Sequence, residues 1–126
     1  MERLLWVCAG GAVGSGARYL VSVWLIERCG TALPWGTLAV NLVGSFLLGF
    51  VVQWSAVNAS FPPVARLGLT AGVLGGFTTY SSFNQETLSY LERGDSWHAG
   101  LNVALTLACC LAAGLAGQWA ARFVAG

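Results

Sequence analysis

The chain has no lysine and only a single histidine, a single methionine and three prolines among 126 residues. Charged residues make up 9% of it, against roughly 25% in an ordinary soluble domain. A water-facing surface of normal polarity is therefore excluded, and with it a hydrolase or kinase of ordinary build. Six arginines against five acidic residues leave a net charge of +1, so no nucleic-acid partner is expected. The four cysteines, Cys8, Cys29, Cys109 and Cys110, show none of the spacings of a zinc or redox motif. They read as structural or lipid-facing thiols, since a free cysteine behaves as a small hydrophobe. His98 stands alone at the start of the last apolar segment and reads as interfacial rather than as a ligand.

What remains is 56% hydrophobic. A membrane span needs about 20 mostly apolar residues, and four segments meet that requirement: 4–26, 36–54, 67–91 and 97–123. The expectation is a single four-helix transmembrane domain over residues 1–126, multi-pass in a cell (inner) membrane and in contact with lipid, with no soluble domain or linker. Met1-Glu2-Arg3 and the apolar run behind it resemble a signal peptide only superficially. Arg18 interrupts the run, no small-residue cleavage site follows a short core, and three further spans come after it.

With lysine absent, arginine must set the topology. Four spans would place Arg3, Arg66 and Arg122 on one side and Arg28 and Arg93 on the other. So even a balance leaves insertion free to go either way, which predicts dual topology and an antiparallel homodimer. Small residues recur every four positions at Gly10 and Gly14, at Gly68, Gly72 and Gly76, and at Ala113, Gly117 and Ala121. That spacing lets transmembrane backbones approach closely, and it is expected to mark tightly packed interfaces.

The segment from Gly75 to Phe83 sets two glycines, a run of hydroxyls and two aromatic rings at membrane depth. A break in a helix there is tolerable only where it lines a cavity or packs on protein, so the segment reads as an ion path. Tyr80 and Phe83 are spaced i, i+3 and project to one face, with Glu86 a turn further on. The pair can be packing, or its positive ring edges can face an anion. Thr37 and Asn41 share a face one turn apart behind Pro34. A buried amide needs partners: Asn41 is either an interhelical hydrogen bond or an N–H donor to an anion. Asn102, Thr106 and Cys110 form a ladder at i, i+4, i+8 on the last span, a polar track unless the Thr106 hydroxyl back-bonds to its own helix. Arg18, near mid-span, costs about 2.5–3.5 kcal/mol even on the mildest insertion scale. It either snorkels to the interface or draws anions into a vestibule.

Taken in order, Gly10-Gly11-Ala12-Val13-Gly14 leading to Arg18-Tyr19, then Pro34-Trp35-Gly36-Thr37-Leu38-Ala39-Val40-Asn41-Leu42-Val43-Gly44, then the Gly75 to Phe83 signature, the chain resembles the Fluc fluoride-channel family, also called CrcB. The resemblance implies an all-α membrane protein with four transmembrane helices per subunit, the third broken near Gly75 to Thr79, in an antiparallel dual-topology homodimer. It implies passive export of cytoplasmic fluoride. By position, Asn41, Tyr80 and Phe83 would line the pore, with contacts from Thr37, Ser81, Asn102, Thr106 and Cys110, Arg18 near the vestibule and Glu86 within the path. It also implies a structural Na+ at the dimer interface, held by the backbone carbonyls of Gly75 and Thr78. The family usually has phenylalanine where this chain has Tyr80, and threonine where it has Ser82. The rival reading is a proton-coupled exporter of the small multidrug-resistance type. That mechanism needs a first-span carboxylate, and residues 4–26 contain none.

Overall fold

The computed structural model describes all of residues 1–126, and every element in it is helical. Helix α1 spans Glu2–Cys29, with Glu2 in its first turn and Arg28 in its last, each opposite in sign to the dipole end it faces. Its 28 residues make it about 42 Å long at ~1.5 Å per residue, longer than a hydrocarbon core of ~30 Å. Gly30 ends it at φ 78°, a left-handed conformation that favours glycine. Helix α2 spans Trp35–Val57 behind Pro34. The last helix, α6, spans Ser96–Ala125 and starts on Asp95, whose carboxylate accepts the His98 N–H at 3.1 Å.

Between α2 and α6 runs a composite third crossing. Helix α3 (Pro63–Leu67) opens with proline, where the missing N–H costs nothing. It passes into a π-helical segment, Gly68–Leu74, then α4 (Gly75–Phe77). After an interruption at Thr78 and Thr79 the chain resumes as α5 (Tyr80–Glu92). The interruption is narrower than expected from the sequence. Gly75 is helical at φ −64°, ψ −38°, and the extended residues are Thr78 (φ −84°, ψ 158°) and Thr79 (φ −153°, ψ 120°). The Gly-Gly pair is thus not the break. β-Branched threonine suits extended backbone, whereas Gly76 serves close packing: a Cβ there would lie 2.7 Å from the Gly11 carbonyl oxygen.

Short connections make the four crossings alternate in direction, with α1 against the first half of the third crossing and α6 against α2 and α5. The small-residue runs are spent in these contacts. The Gly10/Gly14 run meets the Gly68/Gly72/Gly76 run backbone to backbone, and Gly117 meets the Phe46 and Phe50 backbone of α2. These runs pack helices of one chain against each other, so they need no second copy to explain them. Helices α1, α2 and α6 are long and apolar enough to cross a membrane. The outer faces of α1 and α6 present Leu5, Leu20, Trp24, Leu111, Trp119 and Phe123, as a lipid solvent requires. The third crossing is too polar and too broken to meet that criterion.

Candidate functional site

The Thr78 N–H still reaches the Leu74 carbonyl at 3.0 Å, but Thr79 cannot satisfy its backbone within a helix, and the sequence supplies its missing partners from α2. The Asn41 amide takes Thr79 on both sides of its peptide: Oδ1 accepts the Thr79 N–H at 2.8 Å, and Nδ2 donates to the Thr79 carbonyl at 3.0 Å. In a continuous helix the Thr79 N–H would have reached Gly75. Diverting it stops α4 and leaves the Gly75 carbonyl without a partner across the break, as is the Thr78 carbonyl. The Thr79 hydroxyl then caps α5 by accepting the Ser82 N–H at 3.2 Å.

A groove of about 450 Å³ opens beside this clamp. Its polar wall is Asn41, Ser45, Thr78, Thr79, Thr106 and Cys110, and Tyr80, Phe83, Leu107 and Leu111 complete it. The Tyr80 and Phe83 rings share a face, as their spacing predicts, with centroids 5.7 Å apart and planes at 58°. They differ in exposure: Phe83 is 8% exposed, while Tyr80 is 75% exposed.

Of the residues singled out from the sequence, Asn41, Thr78, Tyr80, Phe83, Thr106 and Cys110 come together at this groove. Thr37 and Glu86 lie elsewhere, in a neighbouring cavity of about 230 Å³ with Ser22 and Ser82. There the Thr37 hydroxyl donates to Glu86 Oε1 at 2.6 Å, and Glu86 Oε2 is buried without a partner. Glu86 also borders a third cavity of about 320 Å³ whose mouth carries Tyr90 and Arg93. Asn102 stands behind the groove rather than on it. Its Nδ2 donates to the Thr87 hydroxyl at 3.0 Å, and Thr87 donates to the Phe83 carbonyl at 2.8 Å, so Asn102 braces the turn that carries Phe83. The Ser81 hydroxyl is exposed, 3.3 Å from that of Thr79. Arg18 is half-exposed on α1 and forms no ion pair; the one such contact in the chain joins His98 to Asp95.

The sequence reading missed Ser45 and Thr79. Ser45 follows Asn41 at i+4 and so shares its helix face, a signal that was available. At the loop before α6, the His98 N–H holds the Asp95 carboxyl below its ordinary range, and the His98 ring, 2.7 Å away at Nδ1, adds to the effect. His98 stacks on Tyr90, whose hydroxyl donates to the Ala32 carbonyl at 2.7 Å. No three His, Cys, Asp or Glu side chains gather as a metal-ligand set.

Apolar outer faces, four crossings and a hydroxyl- and amide-lined groove beside an interrupted helix define a multi-pass membrane protein with a polar groove in its wall. The chain belongs to the CrcB family: the model of "CrcB-like protein, Camphor Resistance (CrcB)" matches residues 5–118. It is 52% identical to the fluoride-specific ion channel FluC of Sorangium cellulosum (strain So ce56), over 97% of this chain and 96% of that one. It is 51% identical to the protein of the same name from Anaeromyxobacter dehalogenans (strain 2CP-1 / ATCC BAA-258), over the full length of both. The FluC of Geobacter sulfurreducens is 45% identical over 97% of this chain and 98% of its own.

Proposed function

We infer that this chain is a fluoride-specific ion channel and not an enzyme. Full-length similarity to proteins of that name supports the reading, and the groove beside the Asn41–Thr79 clamp is the observation that carries it. Fluoride is small and strongly hydrated, so a path for it must replace water with several fixed donors. The groove offers hydroxyls from Ser45 and Thr106, the second N–H of Asn41, and the ring edges of Phe83 and Tyr80, whose rims carry positive partial charge. None of these is a fixed cation that would trap the ion.

Transport is passive and carries fluoride out of the cytoplasm. Two copies in opposite orientations form the conducting unit in the cell inner membrane, each closing the open side of the other's groove where Tyr80 is exposed. Na+ fits the break chemically, because the carbonyls of Gly75 and Thr78 are hard oxygen donors left without hydrogen-bond partners across it. When bound, the ion would supply a fixed positive charge and tie the two breaks together. The exporter reading has no feature to rest on, since α1 holds no carboxylate between Glu2 in its first turn and Glu27 near its end.

The test is fluoride efflux from liposomes holding purified protein, read with a fluoride electrode. Efflux should run down the fluoride gradient and be indifferent to a sodium gradient. Efflux coupled to sodium or proton movement would overturn the channel reading. Cysteines placed at the C-terminus should label from both sides of intact cells, and one-sided labelling would exclude dual insertion.

A further inference from the structure

The two ends of the bundle differ in charge. The end that gathers the start of α1, the α2–α3 connection and the end of α6 holds Arg3, Arg66 and Arg122 against Glu2 alone. The opposite end holds Arg28 and Arg93 against Glu27, Glu92 and Asp95. At the arginine-rich end, a cavity of about 370 Å³ opens between the close of α2 and the start of the third crossing, remote from the groove. Its wall includes Ser55, Asn58, Phe61, Arg66 and Thr70, and no carboxylate. Ser55 and Thr70 turn their hydroxyl protons back on their own helices, to the carbonyls of Val52 and Arg66. Asn58 Oδ1 accepts the Ser60 N–H at 3.3 Å, which fixes the amide and leaves its NH2 free. The Arg66 guanidinium has no hydrogen-bond or ion-pair partner in the protein. Beside it Trp54 and Phe61 meet edge to face, centroids 5.2 Å apart, and tryptophan is a residue enriched at the membrane–water boundary.

We propose that this cavity is a binding site for the phosphate of an anionic membrane lipid, held by the Arg66 guanidinium and the Asn58 amide. A planar guanidinium matches two phosphate oxygens at once, and the fixed amide adds a third donor. The absence of any acid in the wall removes the competing intramolecular partner. A lipid is the occupant rather than soluble phosphate because the site lies at one end of an apolar bundle, the more positive end, where α2 and the third crossing meet and lipid headgroups would stand, and beside Trp54.

Native mass spectrometry of the intact protein with dioleoylphosphatidylglycerol and, separately, dioleoylphosphatidylcholine reads the site directly. One phosphatidylglycerol per chain should survive activation that strips phosphatidylcholine. Arg66→Gln should weaken phosphatidylglycerol retention about fivefold, the effect of one basic residue at an anionic surface, and Asn58→Leu should weaken it less. Arg93→Gln, at the opposite end, should leave it unchanged. Size-exclusion profiles and fluoride efflux matching wild type certify that the Arg66 and Asn58 variants are folded, and keep this result separate from the channel reading. Equal retention of the two lipids, equal losses from Arg66→Gln and Arg93→Gln, or complete displacement of phosphatidylglycerol by millimolar inorganic phosphate would each overturn the proposal.

Discussion

The two halves of the third crossing are held in place by opposite means. Before the break, contact is made by leaving side chains out: a Cβ on Gly10 would come within 2.6 Å of the Gly68 carbonyl oxygen, and one on Gly14 within 2.9 Å of the Phe77 nitrogen. After the break, α5 is tied by side-chain hydrogen bonds to three separate places: Thr37 to Glu86, Asn102 to Thr87, and the Tyr90 hydroxyl to Ala32. In lipid no hydrophobic force separates helix from solvent, so close packing and polar bonds must do the holding. Here each dominates one half, and Asn41 clamps Thr79 where they meet. One half is a rigid wall; the other is a polar scaffold that positions Phe83.

The largest test of that contrast is at Gly14. Its added side chain would meet backbone of Val73 and Phe77, which cannot rotate aside. Gly14→Leu should therefore cost about 3 kcal/mol, the upper end of overpacking penalties, and yield little folded protein by size-exclusion chromatography. Gly16→Leu, on the same helix with nothing nearby, should express as wild type. If both variants behave alike, backbone contact is not what secures the first half.

Next in size is the clamp. Asn41→Leu strands the Thr79 N–H and carbonyl, at about 1–3 kcal/mol for each buried group left unpaired. Asn41→Asp retains the acceptor for the N–H but sets a negative charge against the Thr79 carbonyl and into the groove. Fluoride efflux should be lost in Asn41→Asp while its size-exclusion profile matches wild type. Wild-type efflux in that variant would restrict Asn41 to holding the chain together.

A smaller effect, confined to conduction, is expected at the rings. Phe83→Ile keeps apolar volume and removes a ring edge, and efflux should fall at least ~tenfold, equivalent to ~1.4 kcal/mol on the barrier. The Tyr80 hydroxyl has no hydrogen-bond partner in the protein and the ring is largely exposed, so Tyr80→Phe should fold normally and conduct as well as wild type or better. Efflux unchanged in Phe83→Ile would make the aromatic pair packing; efflux lost in Tyr80→Phe would give the phenolic hydroxyl the ion contact instead.

Three apolar crossings and the family were legible in the sequence because hydrophobic run length and motif order are local signals, whereas the expected span 67–91 proved too polar and too interrupted to be one of them. The shared face of Tyr80 and Phe83 was legible for the same reason, since helical spacing fixes it. What could not be read was which residues would spend their polar groups on each other. Gly76 looks like part of a break, yet glycine is equally the residue of close approach, and only the position of Gly11 decides between the two. Asn102 looked like the top rung of a track shared with Thr106 and Cys110, and the placement of Thr87, fifteen residues earlier, turns it into a brace. Likewise the glycine runs announced close packing without saying whether the partner was another helix of the same chain. The π-helical segment Gly68–Leu74 left no mark in the hydrophobic pattern.

The smallest expected effect lies beyond the scaffold half, at the loop that returns α5 to α6. Asp95 accepts the His98 N–H, and that bond holds its carboxyl below the ordinary value of 3.8. A group whose folded value is depressed stabilises the fold at pH above its unfolded value, and the contribution is lost as pH falls through the folded value. Asp95→Asn keeps an oxygen for the His98 N–H but removes the negative charge from the start of α6, where the helix dipole favours it. The variant should therefore melt slightly below wild type at pH 7. The gap should narrow as pH drops below 3.8 and close once the wild-type carboxyl is protonated. Thermal unfolding of both proteins in detergent between pH 7 and the acid limit of the fold measures this. A gap that stays constant with pH would trace the cap to the shape of the side chain rather than to its charge, and a reversed gap would show that the carboxylate is a burden on the loop.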